Sequence, residues 1–250
     1  MYLFSDEEYN IFSKDYMNSN TKYVRSIRKI IQDKLLNIHD DIKSELISRF
    51  DLNAHWNPKN TTSLTFPCYF NKCAVNWLGL RYGRSKRAVS FLNEMRNVKE
   101  DTYIGFQKYA CLQVNIAESG VNVGLWLSVP KDGVDRMWVH QNIDDLQNII
   151  TKHYSMLRDY GFIWYIDGDE KHEGNYSFDF SDKNNTPEKF VEFFKKYDMD
   201  GYYSYCVKHI FKKSLELSSD ELFKKTILMY FENLFGLYDD LIWKPKIVEE

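Results

Sequence analysis

The sequence predicts an α+β fold: a largely antiparallel β-sheet packed by helices, with a helical N-terminal segment over residues 5–50. Three observations predict it. Val24, Ile27, Ile31, Leu35, Ile38, Ile42 and Leu46 recur at steps of three and four, which makes one buried stripe on a long helix. Later runs alternate apolar and polar residues and are joined by short turns, which suits antiparallel pairing. No internal repeat, low-complexity tract or Gly/Ser linker interrupts the 250 residues. A single domain over 1–250 is therefore expected, with only a weak sub-boundary near residue 140.

Each element has its own local signal. Ser5 and Glu8 have capping-box spacing, so a short helix opens the chain and runs to about Met17. The long helix follows from about Thr21 to Phe50. "DLNAHWNPKNTT" is polar with Asn-Pro punctuation and reads as a loop. "SLTFPCYF" and "CAVNWLGLRY" read as strands, the first placed at an edge or bulge by Pro67. "SKRAVSFLNEMRN" reads as a helix capped by Ser85.

Glu118-Ser119-Gly120 is the turn of a hairpin whose arms carry Val114, Ile116, Val121, Val123, Leu125 and Leu127. Asn142 is expected to cap the next helix, and Gly161 to end it as the left-handed residue. "FIWYI" and "NYSFDF" form strand, turn and strand. Thr186, Pro187 and Gly201 bound a further helix. "YYSYCVKHIF" reads as a strand, and Ser218 or Ser219 caps the last helix.

Composition narrows the function classes. Apolar residues are 44% and aromatics 16%, which excludes a disordered chain. The net charge of −3 excludes a uniformly basic nucleic-acid coat, so any anion-binding surface must be local. Cys68, Cys73, Cys111 and Cys206 lack both a disulfide framework and zinc-ligand spacing, and read as reduced thiols. No leader-like N-terminus and no run of about 20 apolar residues is present, so a cytoplasmic protein with no membrane partner is expected. Abundant Lys, Asn, Ile and Tyr hint at an AT-rich microbial or phage genome.

Charge is segregated along the chain. Between Lys72 and Arg96 six basic residues face Glu94 alone, a net of +5, whereas ten acids and five lysines between Phe162 and Tyr203 net −5. Within the basic segment, Arg81, Arg84, Lys86 and Arg87 gather at the start of a helix, where amide groups and guanidinium forks suit phosphate. Trp77 and Tyr82 are close enough in sequence to stack on a base. The alternative is a solvated charged surface with its aromatics in the core. His55, Trp56 and Lys59 sit in the preceding loop and are a further binding candidate.

The acidic segment raises a second possibility. In "WYIDGDEKHEGNYSFDF", Asp167, Asp169 and Glu170 are candidate metal ligands. Asp169 with Lys171 has the acid-x-lysine spacing of restriction-type nucleases. A bound Mg²⁺ or Mn²⁺ there would lower the pKa of an attacking water and stabilise charge on a phosphate. Such a site needs an upstream acid. Asp159 at a helix end, and Asp132 and Asp135 in an expected turn, are poor candidates. The competing reading is a hairpin turn, which favours Asp, Gly and Asn for backbone reasons.

The chain has no P-loop, dinucleotide-binding glycine motif, nucleophile elbow or zinc-protease motif. The expectation is a module that binds nucleic acid or a phosphate-bearing ligand through residues 77–87. Two alternatives are a non-enzymatic protein-interaction protein, whose Tyr, Trp and Arg content suits interfaces, and a divalent-metal-dependent nuclease or phosphodiesterase.

Overall fold

The structure is a computed structural model that describes residues 2–54, 75–95, 108–129, 132–168 and 171–245. The fold class is α+β. In chain order the elements are α1 (Asp6–Asn10), α2 (Lys22–Phe50), β1 (Asn53–Ala54), β2 (Trp77–Gly83), α3 (Lys86–Met95), β3 (Cys111–Ala117), β4 (Gly120–Trp126), α4 (Val134–Gln141), α5 (Leu146–Asp159), β5 (Ile163–Gly168), β6 (Asn175–Asp179), α6 (Pro187–Tyr197), β7 (Tyr202–Phe211) and α7 (Asp220–Leu241). The strands hydrogen-bond in the order β1-β2-β3-β4-β7-β5-β6. The expected strand "SLTFPCYF" lies outside the described residues.

The chain divides into two compact units of interleaved segments. The first is Met1–Tyr82, Gln113–Gly124 and His209–Glu232, and the second is Gly83–Leu112, Leu125–Lys208 and Asn233–Glu250. Residue 140 lies inside the second.

In the first unit the local caps form as the sequence indicates. Ser5 N–H donates to Glu8 Oε2 at 2.7 Å, and Glu8 N–H donates back to Ser5 Oγ at 3.2 Å. The helix they open is shorter than expected and ends at Asn10. Thr21 caps α2 by accepting from Val24 N–H. The α2 stripe from Val24 to Leu46 is buried throughout. Arg28 lies within the same helix's buried side, where it donates to the Tyr16 and Met17 carbonyls.

In the second unit, β5 pairs antiparallel with β6 on one side and β7 on the other, with Asp167 opposite Asn175 and Tyr203. Trp164 is buried edge-on to Phe190 and Phe194 and donates its indole N–H to Ser204 Oγ at 2.9 Å. Helix α5 closes with a Schellman motif. Phe162 N–H reaches the Leu157 carbonyl and Gly161 N–H the Arg158 carbonyl, with Gly161 at φ +65°. Cys206 is a buried, unbridged thiol, as is Cys111.

One local reading is corrected. Asn142 does not open a helix. It ends α4, and its side chain donates back to the Trp138 carbonyl at 2.8 Å, while α5 begins at Leu146. Asp135 accordingly lies in the first turn of α4 rather than in a turn. The signal was weak because Gly133 at the helix N-cap makes no side-chain hydrogen bond. Among the described residues, no helix is long and apolar enough to cross a membrane.

Candidate functional site

Strand parity separates the residues of the basic segment. Leu78, Leu80 and Tyr82 alternate onto the buried face of β2. Tyr82 is 1% exposed, its hydroxyl is 2.9 Å from His39 Nδ1, and its ring meets Phe231 edge-on. It cannot stack on a base from solvent, so that expectation is corrected. Burial lowers the His39 pKa and pushes up the Tyr82 hydroxyl, so both stay neutral.

Arg84 is also committed to the interior. Its guanidinium grips Asp135 in bidentate fashion at 2.7 and 3.0 Å, donates to the Trp243 carbonyl, and lies 5.0 Å from the Tyr109 ring centroid. Asp135 is fully buried and takes two more donors, Ala110 N–H at 2.6 Å and Trp243 N–H at 2.8 Å. A carboxylate so satisfied holds its arginine in place, and Arg84 is an anchor rather than a phosphate ligand.

What remains exposed is the outer face of α3. Ser85 Oγ accepts from Ala88 N–H and caps the helix. Lys86 and Arg87 are exposed and have no acidic partner among the described residues. Val89 and Leu92 pack with Tyr109, Val134 and Trp243, which fixes the opposite face inward. The residues four and eight beyond Arg87 are Phe91 and Met95, 52% and 51% exposed, so a basic, aromatic and thioether row runs along one side of the helix. The sequence reading missed Phe91 and Met95. Their signal was that both fall off the stripe set by Val89 and Leu92.

Trp77 and Arg81 belong to the other face of β2, with the Arg81 guanidinium 5.0 Å from the Trp77 ring centroid. Gly79 lies between them, and a side chain there would collide with the Val114 carbonyl and the Asn115 side-chain oxygen. Asn115 therefore lies across the Gly79 backbone. Gln113, two residues away, shares its face. The two-residue turn Glu118–Ser119 sets Asn122 opposite Asn115, and His209 Nδ1 is 2.9 Å from Asn122 Oδ1. Gln113 is 5% exposed, and its Oε1 is buried with no hydrogen-bond partner among the described residues, as is Asn115 Oδ1. A buried amide oxygen left unpaired costs about 1–3 kcal/mol.

The flanks of the acidic segment pair as β5 and β6, and Gly168 N–H donates to the Gly174 carbonyl at 2.9 Å. Asp167 Oδ2 accepts from the Tyr205 hydroxyl, and the Tyr205 ring stacks on Tyr165. Burial raises the Asp167 carboxyl above its usual pKa, against the opposing effect of that hydrogen bond. Lys171 is exposed, and His172 packs on Gly201 and the Tyr202 ring. Asp169 and Glu170, like His55, Trp56 and Lys59, lie outside the described residues. Among the described residues no three His, Cys, Asp or Glu side chains converge as metal ligands.

No known family model matches this chain, and no curated protein matches it.

Proposed function

We propose that the chain is a nucleic-acid-binding module that engages single strands through the outer face of α3. The observation that carries this reading is that Arg87 and Phe91 are both exposed, one helical turn apart, with Lys86 beside them and no acid pairing either cation among the described residues. Lys86 and Arg87 would neutralise phosphates and release counterions. Phe91 offers a face on which any base can stack. Lys86 and Arg87 are the two cations this helix face offers to a polyanion.

The test is a titration of labelled single- and double-stranded DNA and RNA at several salt concentrations. Binding should favour single strands and weaken with salt. Arg87→Ala should reduce the salt slope by about one phosphate contact. Phe91→Ala should cost about 1–3 kcal/mol with the slope unchanged. Binding that survives both changes and high salt would sink the reading. The same reactions with Mg²⁺ or Mn²⁺ address the nuclease alternative, for which cleavage lost in Asp167→Asn is the expected mark.

One observation favours a second reading, a protein-docking surface. Met95 extends the row, and methionine beside phenylalanine suits an adaptable apolar contact. If no nucleic acid binds, this reading takes precedence.

A further inference from the structure

In the second unit, Trp164 and Phe178 share one face of β5 and β6 and pack there on Phe190 of α6. Strand parity turns Tyr165, Asp167, Ser177 and Asp179 to the opposite face, together with Tyr205 of β7. We propose that this face docks an extended peptide that carries an arginine, with Asp167 accepting from its guanidinium and the edge of β6 seating its backbone. The inference does not depend on the role of α3.

Asp167 sets the charge. It is half-buried, and it accepts from the Tyr205 hydroxyl. Burial, with Asp167 beside it, keeps that hydroxyl protonated, so the carboxylate is held in one orientation. Burial nevertheless holds the Asp167 carboxyl above its usual pKa, so the fold leaves its charge incompletely balanced. Asp179 puts a second carboxylate on the same face, and a basic segment is therefore complementary in charge. The rings select the kind of cation. Tyr165 and Tyr205 stack with centroids 5.5 Å apart beside the carboxylate. A guanidinium is planar, weakly hydrated and able to lie on a phenol ring while it pairs with an acid. A divalent metal gains nothing from rings and asks for about six oxygen ligands.

The strand edge selects a peptide over a small cation. Among the described residues β6 ends the sheet. Gly168 N–H donates to the Gly174 carbonyl and Phe180 N–H to the Phe162 carbonyl, so the even-numbered residues of β6 bond to β5. Asn175 and Ser177 therefore turn their N–H and C=O groups outward, and both residues are exposed. Asn185 Nδ2 donates to the Asp179 carbonyl at 2.7 Å and closes the edge at that end. The stretch left open is the one beside Asp167, which pairs with Asn175. A strand added there lies about 10 Å from β5, two strand spacings away. An arginine laid across Asn175 spans that gap.

The experiment uses the full chain, calorimetry and four probes. They are a capped peptide of alternating threonine and arginine, the same peptide with lysine or with citrulline for arginine, and free arginine amide. We expect the arginine peptide to bind and the lysine peptide to bind more weakly. The citrulline peptide, which keeps the shape and loses the charge, and the free amide should each be weaker by about tenfold or more. Asp167→Asn should weaken the arginine peptide by about tenfold or more. Tyr205 can still donate to the new amide oxygen, so the unliganded variant should melt near wild type. Ser177→Pro removes an outward N–H that an edge strand can lose, and it should also weaken the peptide. It carries the test if Asp167→Asn does not fold. Asp159→Asn, at an exposed acid at the end of α5, should change nothing. The inference is overturned if the arginine peptide does not bind, if any other probe matches it, or if Asp167→Asn or Ser177→Pro leaves binding unchanged.

Discussion

Asp135 and Asp198 are both buried aspartates paired with arginine, and α4 supplies one member of each pair from adjacent positions, Asp135 and Arg136. They differ in how fully each is satisfied. Asp135 receives four hydrogen bonds, two on each oxygen, from Arg84 and two backbone amides. Asp198 receives two, both on Oδ1, from Arg136 Nε at 2.6 Å and His140 Nε2 at 2.8 Å, while its Oδ2 is buried with no partner among the described residues. The donors to Asp135 come from three separate chain segments, so that carboxylate acts as a clamp. The second pair works mainly through the other end of its arginine, whose Nη atoms donate to the Tyr202 and Met199 carbonyls. The same residue pair thus serves two purposes: one organises around the acid, the other around the base.

The largest effect should come from breaking the clamp. Arg84→Leu leaves Asp135 charged, buried and held by two amides alone. Removing one partner of a buried ion pair costs about 3–5 kcal/mol. Urea unfolding should show that loss as a lower midpoint. A cost under about 1 kcal/mol, the range of surface pairs, would mean that the backbone amides suffice and that the two aspartates do not differ as described.

A buried pair without charge sharpens the contrast. Tyr82→Phe leaves His39 Nδ1 unpaired in the core of the first unit, at a cost of about 1–3 kcal/mol. His39 also sets a pH dependence of stability. Its folded-state pKa is lowered by burial, so the unfolded chain takes up a proton that the folded chain resists. Its contribution to stability is complete above the unfolded value of about 6.5. It is lost as pH falls from there toward the lower folded value. Replacing His39 with Gln should flatten stability between pH 7 and 5. An unchanged slope would show that His39 takes up its proton alike in the folded and the unfolded chain.

These pairs also explain what the sequence made legible. Helix ends written in adjacent residues were readable: Ser5 with Glu8, Thr21, Ser85, Thr186 before Pro187, and Gly161. Helix α4 was not, because Gly133 provides no side-chain cap and the helix is anchored by Arg84 and Asp198, 51 and 62 residues from their partners on it. The candidate site divides in the same way. Exposure of Lys86 and Arg87 follows from a helix surface pattern, but the burial of Arg84 depends on a distant aspartate that spacing does not reveal. Tyr82 was readable in principle, since it continues the parity of Leu78 and Leu80. Gln113 and Asn115 gave no signal, because a polar residue on a strand normally faces water, and only the fold shows their oxygens buried with no partner among the described residues.

The smallest effect tests the other half of the comparison. His140→Ala removes one of the two donors to Asp198 while Arg136 Nε stays in place. The imidazole is 39% exposed, so water can replace part of what it gave, and the cost should be about 1 kcal/mol or less. A loss as large as that of Arg84→Leu would reverse the argument. Asp198 would then rely on its histidine as heavily as Asp135 relies on its arginine.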